Sequence, residues 1–173
     1  MKTLVTYFSQ TGNTKKIAEA IYEAISMEKE IRPLNEVVTL DNYDFTFIGF
    51  PVMNDYPVAK AKKFIKKQAI GKKIAMFVTH ATAPGMPQEY VPEGKLDEIL
   101  QNCKDSAAKS ELVGFYDCMG ELDEKTANFL LTMDDPILQG FGKIRPETIG
   151  HPNETEVQNA RSFATEVMKK LNK

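Results

Sequence analysis

A short polar turn near the start of the chain carries the residue types that bind phosphate. This 9–14 loop follows an apolar run, precedes an amphipathic segment, and consists of Ser9, Gln10, Thr11, Gly12, Asn13 and Thr14. A helix start offers unpaired backbone N–H groups and the positive end of the helix dipole, and glycine lets the backbone approach a ligand closely. The loop contains no Lys or Arg, so it would hold a phosphate by dipoles alone. The alternative is an ordinary glycine turn with a helix N-cap at Asn13 or Thr14.

Other motifs for phosphate binding and catalysis are missing from the sequence. It has neither the G-x-x-x-x-G-K-[ST] loop nor the G-x-G-x-x-G fingerprint. Neither Cys103 nor Cys118 is followed six residues later by the arginine of a small cysteine phosphatase. His80 and His151 are too few for a histidine-rich metal site, and the cysteines lack ligand spacing. We therefore predict no catalytic residue and no metal ligand, and we expect both cysteines to be packed as small apolar residues.

Short apolar segments alternate with amphipathic ones along the chain. We predict strands at 3–8, 36–40, 45–50, 74–78 and 112–118, and helices at 14–25, 58–69, 94–109 and 154–171. This alternation indicates an α/β fold, with a parallel sheet covered by helices on both faces. Such sheets bind ligands at the carboxyl ends of their strands, which here means the loops 9–14, 51–57 and 79–87.

The segment from about 120 to 150 does not fit this alternation. Its prolines and glycines include Pro136, Gly140, Gly142, Pro146 and Gly150. Because the segment is long for a connection in a compact domain, we predict an irregular insertion that forms a lid or a surface excursion. We otherwise expect residues 1–173 to form a single domain.

Four stretches of the sequence resemble the flavodoxin family, and the resemblance covers nearly the whole chain outside about 120–150. They are Tyr7 to Thr14, Ile48 to Asp55, Phe77 to His80, and His151 to Glu154 followed by Ala160 and Phe163. The resemblance implies a flavodoxin-like, doubly wound, five-stranded parallel sheet in the order 2-1-3-4-5. It also implies noncovalent FMN, with the 9–14 loop around its phosphate.

The same resemblance implies which residues surround the flavin ring. In many flavodoxins a Trp lies in the first of the loops that flank the flavin ring. This chain has no Trp, and Met53 falls at that position. Asn54 stands where the family often has Gly. The resemblance implies that this peptide can flip when the flavin is reduced, and the flipped turn needs a positive φ, which Asn tolerates less well than Gly. Tyr56 is a candidate aromatic partner, and His80 is a candidate ring contact. The implied ring-side residues are Pro51, Val52, Met53, Asn54, Asp55, Tyr56, Thr79, His80, Ala81, Thr82 and Gly85.

Composition narrows the classes of partner. The chain has 22 Lys and Arg against 24 Asp and Glu, a net charge of −2, which argues against a nucleic-acid platform. No run approaches the roughly 20 apolar residues that span a bilayer, and the apolar start is too short for a signal peptide. Two cysteines cannot form a disulfide framework. We therefore expect a cytoplasmic protein that does not bind nucleic acid and does not insert into a membrane.

The charges are unevenly distributed along the chain. Flavodoxins are usually strongly acidic around the flavin, whereas this chain has a lysine-rich segment that includes Lys60, Lys62, Lys63, Lys66 and Lys67. These lysines form either a solvated helix face or a docking face for an acidic partner or an anionic cosubstrate.

Three functions fit the sequence. The first is a flavodoxin-type carrier that shuttles electrons between redox partner proteins, which the phosphate loop without an evident catalytic group favours. The second is an FMN-dependent NAD(P)H oxidoreductase, with the 120–150 segment over the flavin and Arg145 or Lys143 binding anions. The third is a flavin-free binding module that keeps only the fold.

Overall fold

Five parallel strands form the central sheet of the computed structural model, which describes residues 1–82 and 86–172. The strands are β1 (Thr3–Tyr7), β2 (Lys29–Pro33), β3 (Phe45–Met53), β4 (Tyr56–Pro57), β5 (Lys73–His80) and β6 (Glu111–Met119). The parallel strands lie in the order β2-β1-β3-β5-β6, and the two-residue β4 pairs antiparallel with β3. This arrangement confirms the predicted doubly wound sheet and its strand order.

Seven α-helices connect or follow these strands in the described part of the chain. They are α1 (Asn13–Ala24), α2 (Ala59–Gln68), α3 (Lys95–Asp105), α4 (Glu124–Leu131), α5 (Pro136–Lys143), α6 (Arg145–Thr148) and α7 (Glu154–Leu171). A short 3-10 helix spans Leu34–Glu36. None of the helices in residues 1–82 and 86–172 is both long enough and apolar enough to cross a bilayer.

The sheet is buried on both faces, as its continuous apolar strands predict. Successive residues of a strand point to opposite faces. In β1, Val5 packs with α1 and α7 in one apolar core, whereas its neighbour Leu4 packs with α2 in the other. The two cores hold the strands rigidly, so the loops at their carboxyl ends have fixed starting points.

The predicted strand at 36–40 is wrong, and the second strand instead spans Lys29–Pro33. This strand lies at the edge of the sheet, where it pairs with β1, so charged residues are tolerated on it. Its Glu30 binds Lys2 at 2.8 Å and Arg32 at 2.7 Å. Together with the Tyr43 hydroxyl, these contacts lower the pKa of Glu30 to about 2. Because β2 carries these charged residues, its sequence lacks the apolar pattern by which a strand is predicted.

The prediction of an irregular insertion at about 120–150 is also wrong, because this segment contains α4, α5 and α6. Asp123 caps α4 by accepting a hydrogen bond from the backbone N–H of Thr126. Asp135 caps α5, and Pro136 takes its first position, where a missing N–H costs nothing.

The glycines of α5 permit close packing and do not break the helix. A Cβ at Gly140 would overlap the Tyr90 ring, and one at Gly142 would lie 2.9 Å from the carbonyl oxygen of Ala127 in α4. At these two positions the Tyr90 ring and helix α4 occupy the space that a side chain would need.

We predict that Gly140→Ala lowers the free energy of unfolding by about 1–3 kcal/mol, because the new methyl group collides with the Tyr90 ring. In a Tyr90→Ala background the same substitution should be neutral or stabilising, since alanine favours a helix by about 1 kcal/mol over glycine. Urea unfolding of the four proteins measures this cycle. Equal destabilisation in both backgrounds would contradict the packing explanation.

Candidate functional site

A cleft opens at the carboxyl edge of the sheet, beside the switch point between β1 and β3. Its cavity volume is about 150 Å³. Residues after β1, β3 and β5 meet there, as expected for neighbouring parallel strands. The predicted residues that line it are Ser9, Gln10, Thr11, Asn13, Thr14, Pro51, Val52, Met53, Thr79, His80 and Ala81.

Within the 9–14 loop, Gly12 is the N-cap of α1, and the helix itself begins at Asn13. Gly12 has a φ of 100°, a left-handed conformation that glycine adopts without steric cost. The first helical hydrogen bond runs from the Lys16 N–H to the Gly12 carbonyl, and no side chain caps the helix. The expected cap at Asn13 or Thr14 is therefore absent, because both residues are already helical.

The absence of a cap leaves backbone donors free in this loop. In the described part of the chain, the N–H groups of residues 10, 11, 13, 14 and 15 have no hydrogen-bond partner, whereas the Gly12 N–H donates to Ser9 Oγ at 3.1 Å. These donors stand at the positive end of the α1 dipole. The set suits an anion with several acceptor oxygens.

Two side chains of the loop are held by the protein itself. The hydroxyls of Thr14 and Thr79 are 2.8 Å apart, and both residues are buried. The Asn13 side-chain amide donates to the carbonyl of Glu121 at 2.9 Å. A Cβ at Gly120 would lie 2.7 Å from Asn13 Nδ2, so glycine is needed where the end of β6 approaches α1.

A fourth wall of the cleft follows β6 and was not predicted from the sequence. It consists of Gly120, Glu121, Leu122, Asp123 and Thr126. The rule that pointed to the ends of β1, β3 and β5 applies equally to β6, and would have found it.

The lining of the cleft holds two carboxylates, and in its described residues no Lys or Arg. Both carboxylates have local partners. Glu121 accepts a hydrogen bond from Arg145 at 3.2 Å, and Asp123 accepts one from the Thr126 backbone at the α4 N-terminus. Their negative charge is thereby partly compensated, which reduces its repulsion of an anion in the cleft.

Asn54 and Asp55 form a two-residue turn next to the cleft. Their φ values are 48° and 67°, and the flanking Met53 and Tyr56 pair antiparallel, which defines a type I′ hairpin. Lys95 binds the Asp55 carboxylate at 2.8 Å, a contact that raises the pKa of Lys95. Asn54, Asp55 and Tyr56 are thus next to the cleft but do not line it.

Met53 and Tyr56 are the exposed residues beside this turn, and we call the pair the rim. Each is 49% exposed. Met53 also lines the cleft, whereas the Tyr56 ring lies 5.1 Å from Lys62 Nζ. Met53 is therefore part of the cleft wall, and Tyr56 faces α2.

His80 is buried at the carboxyl end of β5 and lines the cleft. Its Nδ1 accepts a hydrogen bond from the Thr82 backbone at 3.3 Å, so the ring proton is assigned to Nε2, which is 3.3 Å from the Asp117 carboxylate. Thr82 is also buried and does not line the cleft. The predicted Gly85 lies outside the described residues.

The two cysteines are unsuited to thiolate chemistry. Cys103 and Cys118 are both buried, and burial raises the pKa of each thiol to about 12. Almost no thiolate is present at neutral pH, so neither residue is an effective nucleophile.

Comparisons with known proteins identify similar chains. A family model described as a flavodoxin domain matches residues 4–165. The flavodoxin-like domain-containing protein BilS of Clostridioides difficile (strain CD3) is 35% identical over 179 residues, which cover 97% of each chain.

Solved structures share the fold at low sequence identity. A flavodoxin from the domain Archaea has a TM-score of 0.60 and 16% identity, with all of both chains covered. Oxidised flavodoxin 2 from Bacillus cereus has a TM-score of 0.54 and 22% identity, covering 98% of this chain and 99% of that one. A flavoprotein in complex with FMN from Lactobacillus acidophilus NCFM has a TM-score of 0.51 and 20% identity, covering 74% of this chain and 97% of its own.

We predict that the buried Thr14–Thr79 pair behaves as a unit. Thr14→Val or Thr79→Val alone leaves one buried hydroxyl unpaired and should cost about 1–3 kcal/mol of stability, whereas the double variant should cost less than the sum. Urea unfolding without added ligand measures the cycle, with the exposed Thr155→Val as a control that should change little. Strictly additive losses would show that the hydroxyls do not interact.

Proposed function

Since the chain belongs to the flavodoxin family, we propose that its cleft binds FMN and that the protein carries electrons between redox partner proteins. The observation that carries this proposal is the uncapped N-terminus of α1, whose free N–H groups open into the cleft. FMN would supply the redox chemistry through its flavin ring. The chain's own residues would bind the cofactor, orient it and control access to it.

The donor set of the 9–14 loop fits the phosphate of FMN. Free backbone N–H groups, the hydroxyls of Ser9 and Thr11 and the positive end of the α1 dipole all favour a dianion. Thr79 would hold the Thr14 hydroxyl in place through the hydrogen bond between the two side chains. A site of dipoles without a cation would make binding depend little on salt, because fixed dipoles at short range are weakly screened.

The walls beside this loop fit a flat aromatic ring. Residues 51–53 at the end of β3 and residues 79–81 at the end of β5 would hold the ring, and Met53 offers a thioether that packs well against aromatic systems. The open rim would leave one edge of the cofactor accessible from solvent, because Met53 and Tyr56 are half exposed. Electron exchange with a second protein needs such an edge.

The contacts of Arg145 favour a carrier over an NAD(P)H oxidoreductase. This residue was a candidate anion anchor, but its guanidinium donates to Glu121, a lining residue of the cleft. No cation lines the described part of the cleft to bind the phosphates of a second nucleotide.

We also propose that redox partners dock beside the rim, on the face formed by Lys60, Lys62, Lys63, Lys66 and Lys67.

The purified protein should be yellow, show the absorption bands of an oxidised flavin, and release FMN on denaturation. With NADH or NADPH alone it should show negligible steady-state oxidation, and addition of a flavodoxin reductase should allow reduction of the bound flavin. The spectrum and a stopped-flow reduction measure both expectations.

Two results would contradict the proposed function. A colourless protein that takes up no FMN when supplied with it would leave only a binding module with this fold. Rapid turnover of NAD(P)H by the holoprotein without a reductase would show an oxidoreductase rather than a carrier.

A further inference from the structure

We infer that the five exposed or half-exposed lysines of α2 form a docking site for an acidic protein surface. This lysine face consists of Lys60, Lys62, Lys63, Lys66 and Lys67. The inference rests on the proposed carrier function, since it names the chemistry of the protein that exchanges electrons at the rim.

The charges of the lysine face are not compensated within the structure. In residues 1–82 and 86–172 none of the five lysines forms an ion pair, whereas Lys72 binds Asp41 at 2.7 Å and Lys73 binds Glu111 at 3.5 Å. Segment 56–71 contains no acidic residue. Like charges four residues apart on a helix repel each other, so an acidic partner would relieve an unfavourable interaction.

Two of these lysines are held next to the cleft by aromatic rings. Lys60 Nζ lies 5.2 Å from the centre of the Phe8 ring, and Phe8 directly precedes the 9–14 loop. Lys62 Nζ lies 5.1 Å from the centre of the Tyr56 ring, on the rim. Because cation–π contacts restrain these ammonium groups, positive charge is fixed where a partner must approach the cleft.

An apolar contact is available next to the charges. A shallow groove along α2 is lined by Ala59, Lys62, Lys63, Lys66, Lys67 and Ile70, and Ile70, beyond the end of the helix, is 54% exposed. Protein–protein contacts combine such apolar surface with charged residues.

The charge of the rest of the chain favours a compact acidic protein over an extended polyanion. Without the five lysines the formal charge would be −7 instead of −2. An extended nucleic acid or an anionic membrane would also meet this negative remainder of the chain, whereas a protein with a matching acidic patch would confine its contact to the lysine face. The face also lacks arginine, which dominates phosphate recognition.

A fluorescent oligo-glutamate peptide tests the docking chemistry without depending on the flavin. We expect fluorescence anisotropy to show binding that weakens with salt, to the same extent in apoprotein and holoprotein. The variant Lys63→Gln/Lys66→Gln/Lys67→Gln should bind at least about tenfold more weakly. The control Lys143→Gln/Lys169→Gln/Lys170→Gln loses the same charge from exposed positions on α5 and α7, and should remain within about twofold of the parent protein.

The oxidation of reduced holoprotein by ferricyanide tests whether docking leads to the rim. Each ferricyanide ion accepts one electron, and the net charge of −2 predicts repulsion and a rate that rises with salt. The lysine face predicts local attraction, so the rate should fall with salt in the parent protein and in the control, but not in the α2 triple variant.

Several outcomes would overturn the inference. They are no peptide binding, equal losses in the two triple variants, or tighter binding of duplex DNA or anionic vesicles than of the peptide through the same lysines. If the protein takes up no FMN, the proposed function fails, but the peptide measurement still decides the docking chemistry.

Discussion

The open N-terminus of α1 is the feature on which the rest of the site depends. Gly12 turns the chain in a left-handed conformation and contributes no side chain, so the first N–H groups of α1 are not capped. β1 brings this turn to the edge of the sheet, and the buried face of α1 against the sheet and α7 fixes its direction. The Thr14–Thr79 hydroxyl pair and the Asn13–Glu121 contact then tie the loop to β5 and to the end of β6. The N–H groups of an uncapped helix start need acceptors from water or from a ligand. At α1 these groups belong to residues that line the cleft, and that placement points to function.

Charge is separated between the inside of the cleft and its surroundings. The described lining holds no cation, and its carboxylates are engaged by Arg145 and by the α4 N-terminus. The ammonium groups lie outside, on α2, where Phe8 and Tyr56 restrain two of them. The arrangement lets an internal anion be bound by short-range dipoles while longer-range positive charge acts on a partner protein. Binding of the cofactor and recognition of the partner can therefore be altered independently.

The sequence best predicts the strands that are fully buried in the sheet. The strands around Val5, Phe47 and Met76 are continuous apolar runs, and the structure buries these residues fully. β2 was misplaced because it is an edge strand, whose Glu30 is stabilised by Lys2 and Arg32 rather than by an apolar core. The helices of 120–150 were missed because Gly140 suggests a break until the Tyr90 ring is seen against it. For the site, local motifs place the 9–14 loop and the ends of β3 and β5, whereas the wall at Glu121 depends on contacts distant in sequence, with Asn13 and Arg145.

The most direct test of the central claim compares FMN with riboflavin, which lacks the phosphate, in titrations of the apoprotein. If the α1 N-terminus binds the phosphate, FMN should bind at least about 100-fold more tightly, a difference of about 2.7 kcal/mol. Because no cation lines the described part of the cleft, this ratio should change little between low and high salt. Equal affinities for the two flavins, or a preference that disappears in salt, would show that the open helix start is not the phosphate site.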